Sequence, residues 1–395
     1  MKVGYSVDGY QNRRTIINKV EQYNYIKVLD IYKILFKFAL INQNVLKQST
    51  PDLVDFIYRF NDLNLNKVDL LHFWNTISYG KTPWITTFET IVPRFKSTIN
   101  CHHGKNCGYS SVKEDRKILN ALETLSGKSC KKLIALSECN LKMQKDFLSN
   151  FPEFKSEIEA KLIYMHPPQK ANVENYESKK LDLNEYIHFM LVGNDFFRKG
   201  GSEILEAFME LRKSNNYNIK LTIVSSLIAD NYAAMTTNEE VEKAKEIISK
   251  NRNWIDFYPK LSYPQMYEIM KSAHIGLLPT YADTYGLSAL DFQATGCPII
   301  STNVRALPEV NNNEIGWVIK IPINRLGEAI YTNFEDRMEI KQAIKKGLLE
   351  ITSEIMENRD LIPIKADKAL NQIRDQHSPE EYSRKIGEIY SHALE

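Results

Sequence analysis

The sequence predicts an α/β protein built from two doubly wound, Rossmann-like domains facing across a cleft. Three observations carry this expectation. From residue 188 onward, short apolar runs alternate with helix-period segments, the pattern of βαβ crossovers onto a parallel sheet. A looser alternation runs over 68–165. A chain of 395 residues also exceeds what one hydrophobic core usually organises.

In the first domain, residues 1–165, three runs read as strands: VDLLHFWN (68–75), PWITTFET (83–90) and KKLIALS (131–137). They are rich in β-formers and bounded by Lys, Gly and Pro. EDRKILNALETL (114–125) and NLKMQKDFLSNF (140–151) carry the 3.6-residue period of helices. Tyr23 to Leu46 reads either as a strand followed by a helix or as one long helix. A polar stretch, 166–186, contains Pro167 and Pro168 and no periodicity, so it reads as an interdomain linker.

The second domain, 187–370, alternates more cleanly. Strands are expected at 188–193, 221–226, 254–259, 274–280 and 298–302. Helices are expected at 202–214, 238–250 and 264–273. The last segment, 371–395, ends in a helix announced by Ser378-Pro379-Glu380-Glu381. Its apolar face is Tyr382, Ile386, Ile389, Tyr390 and Ala393, which suits a helix crossing back to the first domain.

Composition narrows the function. Hydrophobic residues make up 43% and charged residues 25%, enough for ordinary soluble cores. A net charge of +2 does not mark a nucleic-acid partner. Five cysteines, a polar N-terminus and no run of about 18 apolar residues make a reducing, cytoplasmic location the expectation.

The chemistry concentrates in GLLPTYADTYGLSALDFQATGCPIISTNVRALPE, residues 276–309. Asp283 sits in the loop before a helix and Asp291 lies inside it. Tyr285, Gly286 and Leu287 fall where backbone N–H groups lack helical partners and favour an anion. Gly286 lets a phosphate approach closely. Leu287, Leu290 and Ala294 form a buried stripe that Asp291 borders. The plainer readings are an N-cap for Asp283 or Thr284 and a solvated helix acid for Asp291. A second loop, GNDFFRKGG (193–201), places Arg198 and Lys199 before Gly200 and Gly201 at a helix start. Two cations beside free backbone donors suit a diphosphate. The loop matches neither GxGxxG nor GxxxxGK[ST], which disfavours a dinucleotide dehydrogenase or a P-loop ATPase. Both loops leave the carboxyl ends of parallel strands, and hence one sheet edge.

Arg198 to Gly201, Asp283 to Gly286, Asp291, Ala294-Thr295-Gly296-Cys297-Pro298 and Pro308-Glu309 together resemble the C-terminal half of GT-B-fold, retaining, family-four-type glycosyltransferases (group 1). The resemblance is strongest over 188–310 and extends over 68–165, where the Ser137 turn also fits. It implies that Lys199 meets the donor diphosphate, with Arg198 standing in for an arginine that the family places after the strand glycine, Gly193. Asn194 occupies that place here. The family's paired glutamates fall on Asp283, near the sugar hydroxyls, and on Asp291, at the nucleotide ribose. Both are one methylene shorter. Gly200 and the backbone of Tyr285, Gly286 and Leu287 complete the implied donor site. Thr87-Phe88-Glu89 falls on the family's Thr-x-His, so Glu89 is the implied acid in the first domain.

The implied reaction moves a hexose-type sugar from a nucleotide diphosphate sugar to a saccharide, lipid-linked or protein hydroxyl. Configuration is retained and no metal is needed, and the setting is surface polysaccharide or glycan assembly, with Asp283, Glu89 and Lys199 at the reacting centre. Two other readings stand beside it. One is a non-catalytic partner protein that keeps the fold and binds without turnover; the other is a nucleotide-sugar epimerase or hydrolase.

Three further signals have modest readings. Cys101, His102, His103 and Cys107 match no standard zinc spacing and read as a loop without metal. Arg94 reads as a surface arginine or a phosphate contact. Lys33 and Lys37, with Tyr32, Phe36 and Phe38, read as packing with snorkelling lysines or as peripheral contact with the inner face of a membrane.

Overall fold

The computed structural model describes residues 1–46 and 53–395 and divides into two compact units. One unit comprises Met1–His102, Cys107–Pro168 and His377–Glu395. The other comprises His103–Asn106 and Gln169–Gln376.

The first unit holds β1 (Lys2–Tyr5), β2 (Asn24–Lys27), β3 (Arg59–Phe60), β4 (Leu70–Trp74), β5 (Ile77–Ser78), β6 (Trp84–Phe88), β7 (Cys130–Ala135) and β8 (Leu162–Tyr164). The main sheet is parallel, in the order β2-β1-β4-β6-β7-β8; β3 and β5 form a separate parallel pair. The open question over Tyr23–Leu46 resolves as strand then helix. Asp30 marks the break: its carboxylate accepts from the Tyr32 N–H at 3.1 Å, and the helix Ile31–Leu46 follows. Lys33 donates to the Ser6 carbonyl at 2.6 Å, while Phe38 stands 62% exposed.

Four short strands of this unit escaped the pattern reading, β1, β3, β5 and β8, all too brief to show alternation. The expected helix over 140–151 is also corrected. It runs Glu138–Leu148, capped by the Ser137 hydroxyl, and a second helix starts afresh at Pro152 and runs to Glu159. The final helix, Pro379–His392, belongs to this unit. Tyr382, Ile386 and Tyr390 pack with Val3, Leu70, Ile85 and Ile134 of the sheet. Burying each such side chain contributes about 1.5–3 kcal/mol. Within that core His72 is sandwiched between two hydroxyls, Tyr390 at 2.6 Å and Thr87 at 2.9 Å.

The second unit holds β9 (Ile187–Val192), β10 (Ile219–Val224), β11 (Ile255–Tyr258), β12 (Ile275–Leu278), β13 (Ile299–Thr302) and β14 (Trp317–Ile319). All are parallel, in the order β11-β10-β9-β12-β13-β14. Strands β9, β12 and β13 are buried along their whole length, as a sheet covered on both faces requires. The helix Asn238–Lys250 occupies its expected span, and Thr237 with Glu240 closes a capping box at its start. The strand order reverses between β9 and β12. In an open parallel sheet this reversal opens a crevice at the carboxyl edge, where ligands bind. The two loops singled out in the sequence leave β9 and β12, the pair flanking that crevice. No helix among the described residues is long and apolar enough to cross a membrane.

Candidate functional site

Residues Gly193–Gly200 connect β9 to the helix Gly201–Ser214. The turn depends on glycine. Gly200 has φ +77°, and a Cβ there would lie 2.2 Å from the Pro279 carbonyl oxygen. That contact brings the β9 loop hard against the β12 loop. Further bonds stitch the two together. The N–H of Tyr281 donates to the Arg198 carbonyl at 2.9 Å, the Thr280 hydroxyl donates to it at 3.0 Å, and the Arg198 guanidinium donates to the Ala282 carbonyl at 2.7 Å.

Lys199 and Asp283 form a close ion pair, with side chains 11% and 13% exposed. Burial alone would raise the Asp283 carboxyl, but Lys199 and Arg198 hold it below the ordinary carboxylate range. The same carboxylate accepts from the N–H groups of Thr284 at 2.9 Å and Gly286 at 3.1 Å. Neither Asp283 nor Thr284 is the helix cap. Gly286 is, with φ +85°, and the helix spans Leu287–Ala294. One backbone donor expected to face phosphate, Gly286 N–H, is therefore engaged by Asp283. The N–H of Leu287 opens the helix.

Asp291 is 3% exposed. Its Oδ1 accepts from the hydroxyls of Tyr267 at 3.2 Å and Tyr263 at 3.3 Å, both on the helix Tyr263–Ser272. The solvated-acid reading is thus overturned. The expected apolar stripe is corrected as well: from Ala289 to Ala294 the helix is buried on every side, and Leu287 is the partly exposed member. A buried acid on such a helix needs donors, and the two tyrosines supply them.

Arg198 is turned inward to Ala282 and also pairs with Asp195 at 2.5 Å. Gly193 is half-buried with φ +141°, against the Lys199 stem, and Asn194 is exposed. Lys199, Gly200, Asp283, Tyr285, Gly286 and Leu287 thus share one neighbourhood of the second unit. Glu89 lies in the first unit, just past β6. Its carboxylate faces Arg94 at 3.7 Å, its carbonyl accepts from Asn140 at 2.7 Å, and its N–H donates to Asn75 at 3.1 Å. Cys101, His102, His103 and Cys107 do not converge. His102 bonds Tyr109 at 3.1 Å, while His103, in the second unit, bonds Tyr331 at 3.2 Å. Among the described residues no group of three or more His, Cys, Asp or Glu side chains is placed to hold a metal ion.

Sequence reasoning missed Tyr263 and Tyr267. Their i, i+4 spacing puts them on one helix face, a signal that was readable, but nothing local ties that face to Asp291. It also missed Glu203 and Tyr281, whose bond is visible only once the helix Gly201–Ser214 and the loop after β12 are folded together.

Comparisons with known proteins bear on the fold and the kind of protein this chain is similar to. Residues 172–348 match the family model Glycosyl transferases group 1. The capsular polysaccharide biosynthesis glycosyltransferase CapM of Staphylococcus aureus is 27% identical over 145 residues, 35% of this chain and 34% of CapM. The D-inositol 3-phosphate glycosyltransferase of Paenarthrobacter aurescens (strain TC1) is 26% identical over 123 residues, 31% of this chain and 28% of that protein. The match spans about a third of the length of these curated relatives. Among solved structures, Anabaena HepE in complex with UDP superposes with a TM-score of 0.60 at 14% identity, covering 99% of this chain and 100% of HepE. WaaG, a glycosyltransferase involved in lipopolysaccharide biosynthesis, gives 0.55 at 15% identity, covering 98% and 99%. The fold is therefore of the GT-B class, with two Rossmann-like sheets.

Proposed function

We propose that this chain is a glycosyltransferase that moves a sugar from a nucleoside diphosphate sugar to a hydroxyl acceptor with retention of configuration. The carrying observation is the convergence of Lys199, Asp283 and the Leu287 helix start where the strand order reverses, inside the segment that matches the group 1 model. A cation and backbone donors at one crevice suit a diphosphate leaving group, whose charge grows as the glycosidic bond breaks. Lys199 and the Leu287 N–H stabilise that charge without a metal. Asp283, held ionised by its neighbours, accepts from the sugar hydroxyls. Asp291, buried beneath Tyr263 and Tyr267, accepts from the ribose. Glu89 is the acid proposed to orient the acceptor or receive its proton.

HepE has been solved with UDP and with UDP-glucose, which makes UDP the first donor nucleotide to try. The capsular and lipopolysaccharide roles in the names of CapM and WaaG favour a surface-glycan acceptor, lipid-linked or saccharide. Five cysteines, all free, accord with a reducing compartment such as the cytoplasm.

The test is thermal-shift binding of UDP, GDP, ADP and CMP, with and without EDTA, on the wild type and Asp291→Ala. One diphosphate should stabilise the wild type, survive EDTA and lose its effect in the variant. Turnover with and without acceptor then separates the alternatives. A partner protein binds without products, a hydrolase releases free sugar alone, and a transferase needs acceptor. No shift with any nucleotide would sink the donor site.

A further inference from the structure

We infer that Glu203 is a positioning residue for the anion-binding loops: through the Tyr281 hydroxyl it holds the backbone on which Arg198, Lys199 and Asp283 meet. The inference rests on the donor-site reading above and adds a residue that does not itself touch substrate.

Glu203 lies in the first turn of the helix Gly201–Ser214, three residues past Gly200, and is 3% exposed. Its Oε1 accepts from the Tyr281 hydroxyl at 2.8 Å, and its Oε2 has no hydrogen-bond partner among the described residues. Tyr281, equally buried, is central to the stitch between the loops. Its N–H donates to the Arg198 carbonyl, and its neighbours Thr280 and Ala282 make the other two bonds to Arg198. Tyr281 is also two residues from Asp283. Releasing its ring would free the segment that sets Asp283 against Lys199.

An acid is a costly choice here. A half-satisfied buried carboxyl forfeits more solvation than a neutral glutamine amide and far more than a leucine. A carboxylate does one thing those residues cannot: it makes the charge-assisted, roughly twofold stronger bond to a phenol. Burial pushes the Glu203 carboxyl up to about 7, so this bond changes strength near neutral pH. The charged groups around it are few. Lys341 reaches in from the helix Phe334–Glu357 and is bonded to Glu206, on the same helix as Glu203, at 2.9 Å. Glu240, on the helix Asn238–Lys250, adds negative charge near Tyr281 and Lys341.

The experiment titrates UDP calorimetrically into the full chain as wild type, Glu203→Gln, Glu203→Leu, Tyr281→Phe and the Leu/Phe double variant, between pH 6 and pH 8. Tyr281→Phe and Glu203→Leu should each weaken UDP about tenfold at pH 8, and the double variant should be within about twofold of either single, because one link is lost in all three. Glu203→Gln keeps an acceptor but does not titrate, so it carries the protonation of UDP itself. The ratio of wild-type to Gln affinity should rise about three- to fivefold from pH 6 to pH 8. Simple repulsion between Glu203 and the diphosphate predicts a falling ratio, and a falling or flat ratio overturns the inference. So does wild-type affinity in Tyr281→Phe, or additive losses in the double variant. If Glu203→Leu does not fold, the Tyr281→Phe affinity and the pH ratio decide alone. If the wild type binds none of UDP, GDP and ADP, the donor-site reading fails and takes this inference with it.

Discussion

Removing the charge of Lys199 should destabilise the second unit before it affects any ligand. The side chains of Lys199 and Asp283 are 11% and 13% exposed, so Lys199→Met leaves a carboxylate in a place that water hardly reaches. Breaking a buried pair by removing one partner costs about 3–5 kcal/mol. Here the lower end applies, because Arg198 and the N–H groups of Thr284 and Gly286 still face Asp283. A body of roughly 200 residues loses about 2–4 °C of melting temperature per kcal/mol, so the expected drop is about 6–12 °C. Asp283→Asn should cost less, and the double variant should recover part of the Lys199→Met loss because no unpaired charge remains. A four-protein cycle by urea unfolding at pH 7 should give a coupling of about 2 kcal/mol. The pH dependence has a definite sign. Asp283 titrates lower when folded than when unfolded, so its contribution is present above the ordinary carboxylate range and is lost as pH falls through the folded value. Single-variant losses that add to within about 0.5 kcal/mol would refute the idea that the pair holds the loops together.

Four other outcomes can be checked. His72, His188, His274 and His377 are buried neutral, with folded values of about 3, 4, 3 and 3. Unfolding lets them bind protons below about pH 6.5, so stability falls with pH there, by about 2 kcal/mol per imidazole between pH 7 and pH 5; urea midpoints at both pH values test this, and His72→Gln should flatten the slope by about one proton. Tyr390→Phe strips His72 Nδ1 of its partner and should cost about 1–3 kcal/mol in the same assay. Gly200→Ala puts a methyl into the Pro279 carbonyl and should prevent normal folding, read as lost soluble yield and melting cooperativity. Gly286→Ala meets the movable end of Leu307 and should cost about 1–2 kcal/mol through its left-handed backbone.

How much of this was legible in the chain differs from place to place. Five of the six strands of the second unit announce themselves because sheets covered on both faces need continuous apolar runs such as HFMLVG or PIIST, while Trp317–Ile319 at the sheet edge is too short to do so. The first unit hides its ends. Lys2–Tyr5 and Leu162–Tyr164 are strands because neighbours pair with them, not because their own sequence insists. The paired acids and the basic loop were readable from spacing, since Asp283 and the basic loop stand just before helices that follow strands and Asp291 lies one turn into its helix. What the spacing could not show is that Lys199 and Asp283 find each other, or that two tyrosine hydroxyls meet Asp291. Those contacts join residues 84 and 24–28 positions apart, and only the folded crossovers bring them together.

The closing helix has a consequence for how the chain is made. The first unit buries Val3, Leu70, Ile85 and Ile134 under Tyr382, Ile386 and Tyr390, so its sheet keeps an open apolar face until residues 379–392 have been synthesised. Every residue of the second unit has been synthesised by then. Of the two units the first is therefore completed after the second, and a nascent chain stalled within the later part of the second unit presents a greasy, unsealed sheet to the chaperones that patrol for one.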